Sequence, residues 1–232
     1  GGYGVHDGLA GCLAAMLAVH AMTGLAAAWQ VARRCADRFL SEPIGPTAAP
    51  GFAFGLAGAG WALLRFAAAA GDPRAAARGR EYLRDPARLG RVTGHSWCHG
   101  WPGVGLALLD VADPAPDPGT DAVIERSVAA VVTSGPLPNH SLCHGELGRL
   151  ELLGAAARAG RATPASHIRH AGMLLAAIER CGPRCGTPDG VPNPGLLTGL
   201  AGIGHGLLRL GFPDTVPSVL LLQPPDHQPR TP

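Results

Sequence analysis

Two cysteine–histidine pairs supply the residue types in this chain that are best suited to chemistry. Ser96-Trp97-Cys98-His99-Gly100-Trp101-Pro102-Gly103 is echoed 45 residues later by Ser141-Leu142-Cys143-His144-Gly145-Glu146-Leu147-Gly148. Each pair stands directly before a Gly-x-x-Gly, so two thiols and two imidazoles fall at equivalent places in two structural units. Two thiolates with one imidazole make a borderline-soft donor set that suits zinc. The spacing is far wider than the short knuckles of a zinc ribbon, so neighbouring units of a repeat must bring the side chains together. Three ligands leave one position for water or substrate, the catalytic arrangement. A fourth, which only His99 is placed to supply, would close the site and make it structural.

Composition removes several other chemistries. All 19 basic residues are arginine, so no lysine serves as nucleophile or Schiff base. A net charge of +2 provides no basic patch for a phosphate backbone, and no nucleic-acid partner is expected. The six cysteines, Cys12, Cys35, Cys98, Cys143, Cys181 and Cys185, come with no recognisable signal peptide. That favours reduced thiols, a metal and a cytoplasmic location over a disulfide framework. Cys181 and Cys185 have a metal-capable spacing but no close histidine or third cysteine, so they read as loop thiols. Cys12 and Cys35 fall on apolar helical faces and are expected in the core. His167 and His170, with Arg169, read as a wet helix face. Trp97 and Trp101 are expected to wall the metal cleft and Trp61 to be core.

The elements that must position the two pairs repeat along the chain. Gly-x-x-Gly followed by an apolar run occurs five times, with first glycines Gly8, Gly55, Gly100, Gly145 and Gly199, spaced 47, 45, 45 and 54 residues apart. Apolar runs such as Ala59 to Leu64 and Val104 to Leu109 predict helices buried all round. The segments after them, Ala26 to Leu40 and Thr120 to Thr133, predict amphipathic outer helices, and Asp72-Pro73 marks the start of another. Only Val216 to Leu222 alternates like a strand. Gly8 to Ala32 carries no charge and is long enough for a membrane span, but buried helices have the same hydropathy, so no span is expected. The reading is an all-α fold of stacked hairpins, either an open superhelix or a closed α/α toroid. The glycine pairs let the chain turn and neighbouring helices approach, and they set every inner-helix N-terminus on one rim.

With these residues in view, the chain resembles the lanthionine synthetase C-like family, and most closely the C-terminal cyclase domain of type 2 lanthipeptide synthetases. The matching motifs are Ser96 to Gly100, Asn139 to Gly145 with Leu147-Gly148, and Pro194-Gly195-Leu196-Leu197-Thr198-Gly199-Leu200-Ala201-Gly202-Ile203-Gly204; the closing Val216-Pro217-Ser218-Val219-Leu220 is similar as well. The resemblance implies an α/α toroid of seven hairpins, of which residues 1–232 supply about the last five as a partial domain. It also implies an attached dehydratase domain upstream.

By resemblance, Cys98, Cys143 and His144 bind Zn2+, leaving His99 outside the ligand set. The implied reaction adds a cysteine thiol of a dehydrated precursor peptide to a dehydroalanine or dehydrobutyrine of the same peptide. A general acid then protonates the enolate. The family's histidine before the second Gly-x-x-Gly is Phe54 here, and its aspartate four residues before Gly8 is Gly4. His99 and His205 are the remaining candidates for the acid, although a lone histidine in a repeat usually packs or caps. The alternative is a zinc-bound peptide-binding domain impaired in catalysis. A glycoside-processing barrel shares the architecture but needs two carboxylates in one cleft, and the rim offers only Asp7 and Glu146 beside cysteines foreign to that chemistry.

Overall fold

Every Gly-x-x-Gly opens a helix, with its first glycine as an extended N-cap. A computed structural model describes residues 2–45, 47–85, 89–111 and 118–225. Among these residues it holds nine α-helices and no β-strand. They are α1 (Leu9–Thr23), α2 (Ala26–Ser41), α3 (Leu56–Ala70), α4 (Pro73–Arg84), α5 (Trp101–Asp110), α6 (Pro118–Thr133), α7 (Glu146–Arg158), α8 (Pro164–Cys181) and α9 (Leu200–Gly211). Odd-numbered helices are inner and pack in succession, α1 on α3, α3 on α5, α5 on α7, α7 on α9. Each of the first four carries its own outer partner, giving the α/α toroid arrangement. Four of the five expected hairpins are complete among the described residues, and the fifth inner helix is followed there by a 3-10 turn at Val219–Leu221 rather than an outer helix.

Sequence pattern explains which helix goes where. In α2 the buried residues Ala28, Ala32, Cys35, Ala36 and Phe39 form one stripe at helical spacing, opposite exposed Arg33, Arg34, Asp37 and Arg38. In α3 the unbroken run Leu56 to Leu63 is buried on all sides. Asp72 caps α4 as its sequence predicts, accepting N–H bonds from Arg74 at 2.8 Å and Ala75 at 3.1 Å, with Pro73 in the first turn. The uncharged stretch Gly8 to Ala32 is two helices. Gly24 takes a left-handed φ of 69° and ends α1 with its N–H on the His20 carbonyl. Among the described residues, no helix is long and apolar enough to cross a membrane.

The glycine pairs do something more local than bringing helices together. A Cβ on the second glycine would lie 2.0 Å from the carbonyl oxygen of Val5 at Gly11, 2.0 Å from that of Trp97 at Gly103, and 2.1 Å from that of Leu142 at Gly148. The loop therefore folds back onto the first turn of the helix it precedes. That fold-back satisfies an otherwise orphaned helix N–H in all five units: Leu9 donates to Gly2, Leu56 to Ala49, Trp101 to Gly94, Glu146 to Asn139 and Leu200 to Asn193.

Val216 to Leu222 is not a strand. It bends through the 3-10 turn and is tied to the ends of the inner helices away from the glycine rim. Arg65 donates to the Leu221 carbonyl at 2.8 Å and Gln223 to the Asp110 carboxylate at 3.4 Å. The Ser218 hydroxyl lies 3.3 Å from Glu151, whose carboxylate also meets the Nε of Arg209 at 2.8 Å.

Candidate metal centre

A ladder of backbone hydrogen bonds runs around the glycine rim. The residue two before each first glycine donates its N–H to the carbonyl of the equivalent residue in the next unit: His6 to Ala53 at 2.8 Å, Ala53 to Cys98 at 3.0 Å, Cys98 to Cys143 at 3.3 Å and Cys143 to Leu197 at 2.9 Å. A separation of 45 residues thereby becomes one rung. The ligand atoms of Cys98, Cys143 and His144 lie within 4.8 Å of one another, and no other histidine, cysteine or carboxylate among the described residues joins them.

Cys98 is buried, whereas Cys143 and His144 are partly exposed, so the group opens to the rim. The Nε2 of His144 is 2.8 Å from the Gly186 carbonyl. A carbonyl only accepts, so Nε2 carries the proton and Nδ1 keeps a free lone pair, the usual way a neutral imidazole is aimed at a metal. Gly186 is held by its own N–H on the Thr198 carbonyl at 2.7 Å. A Cβ there would sit 2.7 Å from His144 Nε2 and 2.6 Å from Ser141 Oγ. Sequence reasoning missed this contact. Its signal was the last interval between units, nine residues longer than the 45 of the two before it.

The Cys98 and Cys143 side chains are hydrogen-bonded to each other. The hydrogen bond from Cys143 pulls Cys98 down to about 5; burial opposes this, while Ser96 and the His99 and His144 imidazoles assist. The same hydrogen bond, with burial, pushes Cys143 up. Two thiols with an aimed imidazole form a donor set that can hold a metal ion.

His99 does not close the site. It is exposed and lies flat on Phe54, ring centres 4.9 Å apart at 18°, while His6 meets the other ring edge-on at 5.1 Å. At Gly4 a Cβ would stand 2.0 Å from the Ala53 carbonyl oxygen and 2.5 Å from Phe54 Cα. No aspartate fits there, because the neighbouring loop backbone occupies the space. Glu146 is not a free rim carboxylate: it pairs with Arg149 at 2.9 Å and accepts the Leu137 N–H.

Other expectations need correction. Trp97 and Trp101 are buried beneath the rim rather than walling a cleft, Trp97 against Phe52 and Trp101 under Arg126; Trp61 is core as expected. Cys35 is core but Cys12 is exposed. His170 is buried and His167 half-buried, so only Arg169 is on the wet face. His205 donates to the Pro217 carbonyl at 3.1 Å, a packing role. Cys181 is exposed and Cys185 buried, and neither belongs to a metal-ligating group among the described residues.

Comparison with known proteins fits this geometry. The sequence model of the lanthionine synthetase C-like protein family matches residues 77–221, more than half of the chain and all three donors. Gly4 and Phe54 lie outside the matched segment. No curated protein matches the chain.

Proposed function

The chain belongs to the lanthionine synthetase C-like family, and from that premise we propose that it is a zinc-dependent cyclase. It adds cysteine thiols of a dehydrated precursor peptide to dehydroalanine or dehydrobutyrine residues of the same peptide, forming lanthionine and methyllanthionine. The observation that carries this reading is the three-donor group Cys98, Cys143 and His144, gathered on an open rim with no fourth side-chain donor among the described residues. Zinc held there supplies Lewis acidity that lowers the pKa of an incoming thiol, and two protein thiolates offset its charge so that the sulfur stays nucleophilic.

The chain's own residues account for the rest. Gly186 fixes the His144 tautomer, and the rung between Cys98 and Cys143 holds the sulfurs in register. In the addition, a carbon–sulfur bond forms at the β-carbon and the π electrons pass to the enolate. The thiol proton is lost and one proton returns to the α-carbon, so nothing leaves. Phe54 has no proton to give. His99, next to Cys98 and steadied on the Phe54 ring, is assigned that return step.

The test is incubation of the metal-loaded protein with a dehydrated peptide containing one cysteine. Loss of free thiol at constant mass, abolished in Cys143→Ala, is the expected result. Peptide binding without thiol loss would instead support the second reading, a peptide-binding domain impaired in catalysis, which Phe54 and Gly4 favour.

A further inference from the structure

Two cysteines of the first hairpin take no part in the chemistry above, and the fold pairs them. Cys12 lies twelve residues before Gly24, where the hairpin turns, and Cys35 lies eleven after it. At about 1.5 Å of rise per residue, both stand at nearly the same height on the antiparallel helices α1 and α2, which pack on each other. On α2, Cys35 shares its stripe with the fully buried Ala32 and Ala36. Such small residues admit the close backbone approach that a disulfide requires, about 4.4–6.8 Å between Cα atoms. The Cys12 and Cys35 side chains are hydrogen-bonded to each other. Their surroundings differ. Cys12 is exposed and opens onto a cleft of about 510 Å³ between the rim loop and α2, whereas Cys35 is 6% exposed and does not line it. Burial, then the hydrogen bond and charge of Cys12, push the Cys35 thiol up to about 12, with Arg34 opposing.

We infer that Cys12 and Cys35 form a reversible dithiol-disulfide site whose oxidant is a low-molecular-weight disulfide such as oxidised glutathione. Exposure sets the order of the two exchanges. Cys12 attacks first: its sulfur bonds to one glutathione sulfur, the glutathione S–S bond breaks, and one glutathione thiolate leaves. Capping Cys12 removes the charge that helps to hold the proton on Cys35. The Cys35 sulfur then attacks that of Cys12, the mixed disulfide breaks, and the second glutathione leaves. The two thiol protons pass to the two released glutathione thiolates. The protein gives up two electrons, and the glutathione disulfide takes them. The new bond ties α1 to α2, and excess thiol reverses it. The inference stands independently of the metal reading.

The test is equilibration of the purified protein in glutathione buffers of graded redox poise, followed by acid quench, tryptic digestion and mass spectrometry. Cleavage after Arg34 and Arg38 releases the peptide 35–38, so its link to the peptide bearing Cys12 is read directly, whatever happens at Cys98 and Cys143. That link is expected to be at least about tenfold more favourable than in the urea-unfolded chain, because the fold holds the two thiols together. Cys35→Ser should stop at one glutathione on Cys12, and Cys12→Ser should leave Cys35 unmodified. Three results would overturn the site: a link no more favourable than in the unfolded chain, a glutathione adduct that persists on Cys12 of the unsubstituted protein, or Cys35 joined to a different cysteine.

Discussion

A single methyl group at residue 186 is enough to disturb His144. Gly186→Ala would place a Cβ 2.7 Å from the imidazole nitrogen that donates to the same residue's carbonyl. Metal affinity should fall about 10–100-fold, measured by chelator competition, because the ring loses both its place and its tautomer. The histidine assignment is testable in the same neighbourhood. His99→Phe should slow cyclisation about a hundredfold or more without loss of metal, and Phe54→His in that background should restore part of the rate. The meeting of Cys98 with Cys143 was legible in the sequence because the repeat itself placed them in register. Gly186 was not, since nothing in a lone glycine shows which carbonyl it carries to which ring. Gly4 was legible only as a departure from the family; the reason, a backbone 2.0 Å away, is a tertiary fact.

Among the elements, α7 is unusual in burying Glu146, Arg149 and Glu151 within an inner helix. Arg149, 1% exposed, spans the end of α6 through the carbonyls of Val131 and Gly135 and the hydroxyl of Ser134, with Glu146 balancing its charge. Glu151 plays the same part for Arg209 of α9. Glu151→Gln leaves that guanidinium uncompensated in the interior and should cost about 3–5 kcal/mol in equilibrium unfolding. Replacing both residues by methionine should recover most of that loss. Gly103→Ala, which drives a Cβ against the Trp97 carbonyl, should cost about 3 kcal/mol or more, because backbone cannot yield as a side chain can. Helix positions were readable from caps and apolar spacing. The strand expected at Val216 to Leu222 failed because short apolar alternation is no commitment to a sheet when, among the described residues, no neighbouring strand shares its hydrogen bonds.

At the scale of the molecule, one end of the helix array carries the glycine rim and its donors, and the other is bound together by the C-terminal segment through Arg65, Asp110 and Glu151. Acid should loosen this assembly through two imidazoles held neutral. Burial lowers His140, with Arg184 assisting and Glu146 opposing. Burial also lowers His167, assisted by Arg158 and His170. The unfolded chain takes up these protons near 6.5 while the folded one resists, so stability is full above that pH and falls as pH drops below it. The urea midpoint should decline between about pH 7.5 and about pH 5.5, and His167→Gln should flatten the decline. The central claim, an open site that receives a substrate thiol, is tested most directly by X-ray absorption at the metal edge of the purified protein, with and without a thiol peptide. The account predicts stoichiometric zinc with two sulfurs and one imidazole from the protein, and a third sulfur when the peptide is added. Four protein ligands and an unchanged spectrum would contradict it.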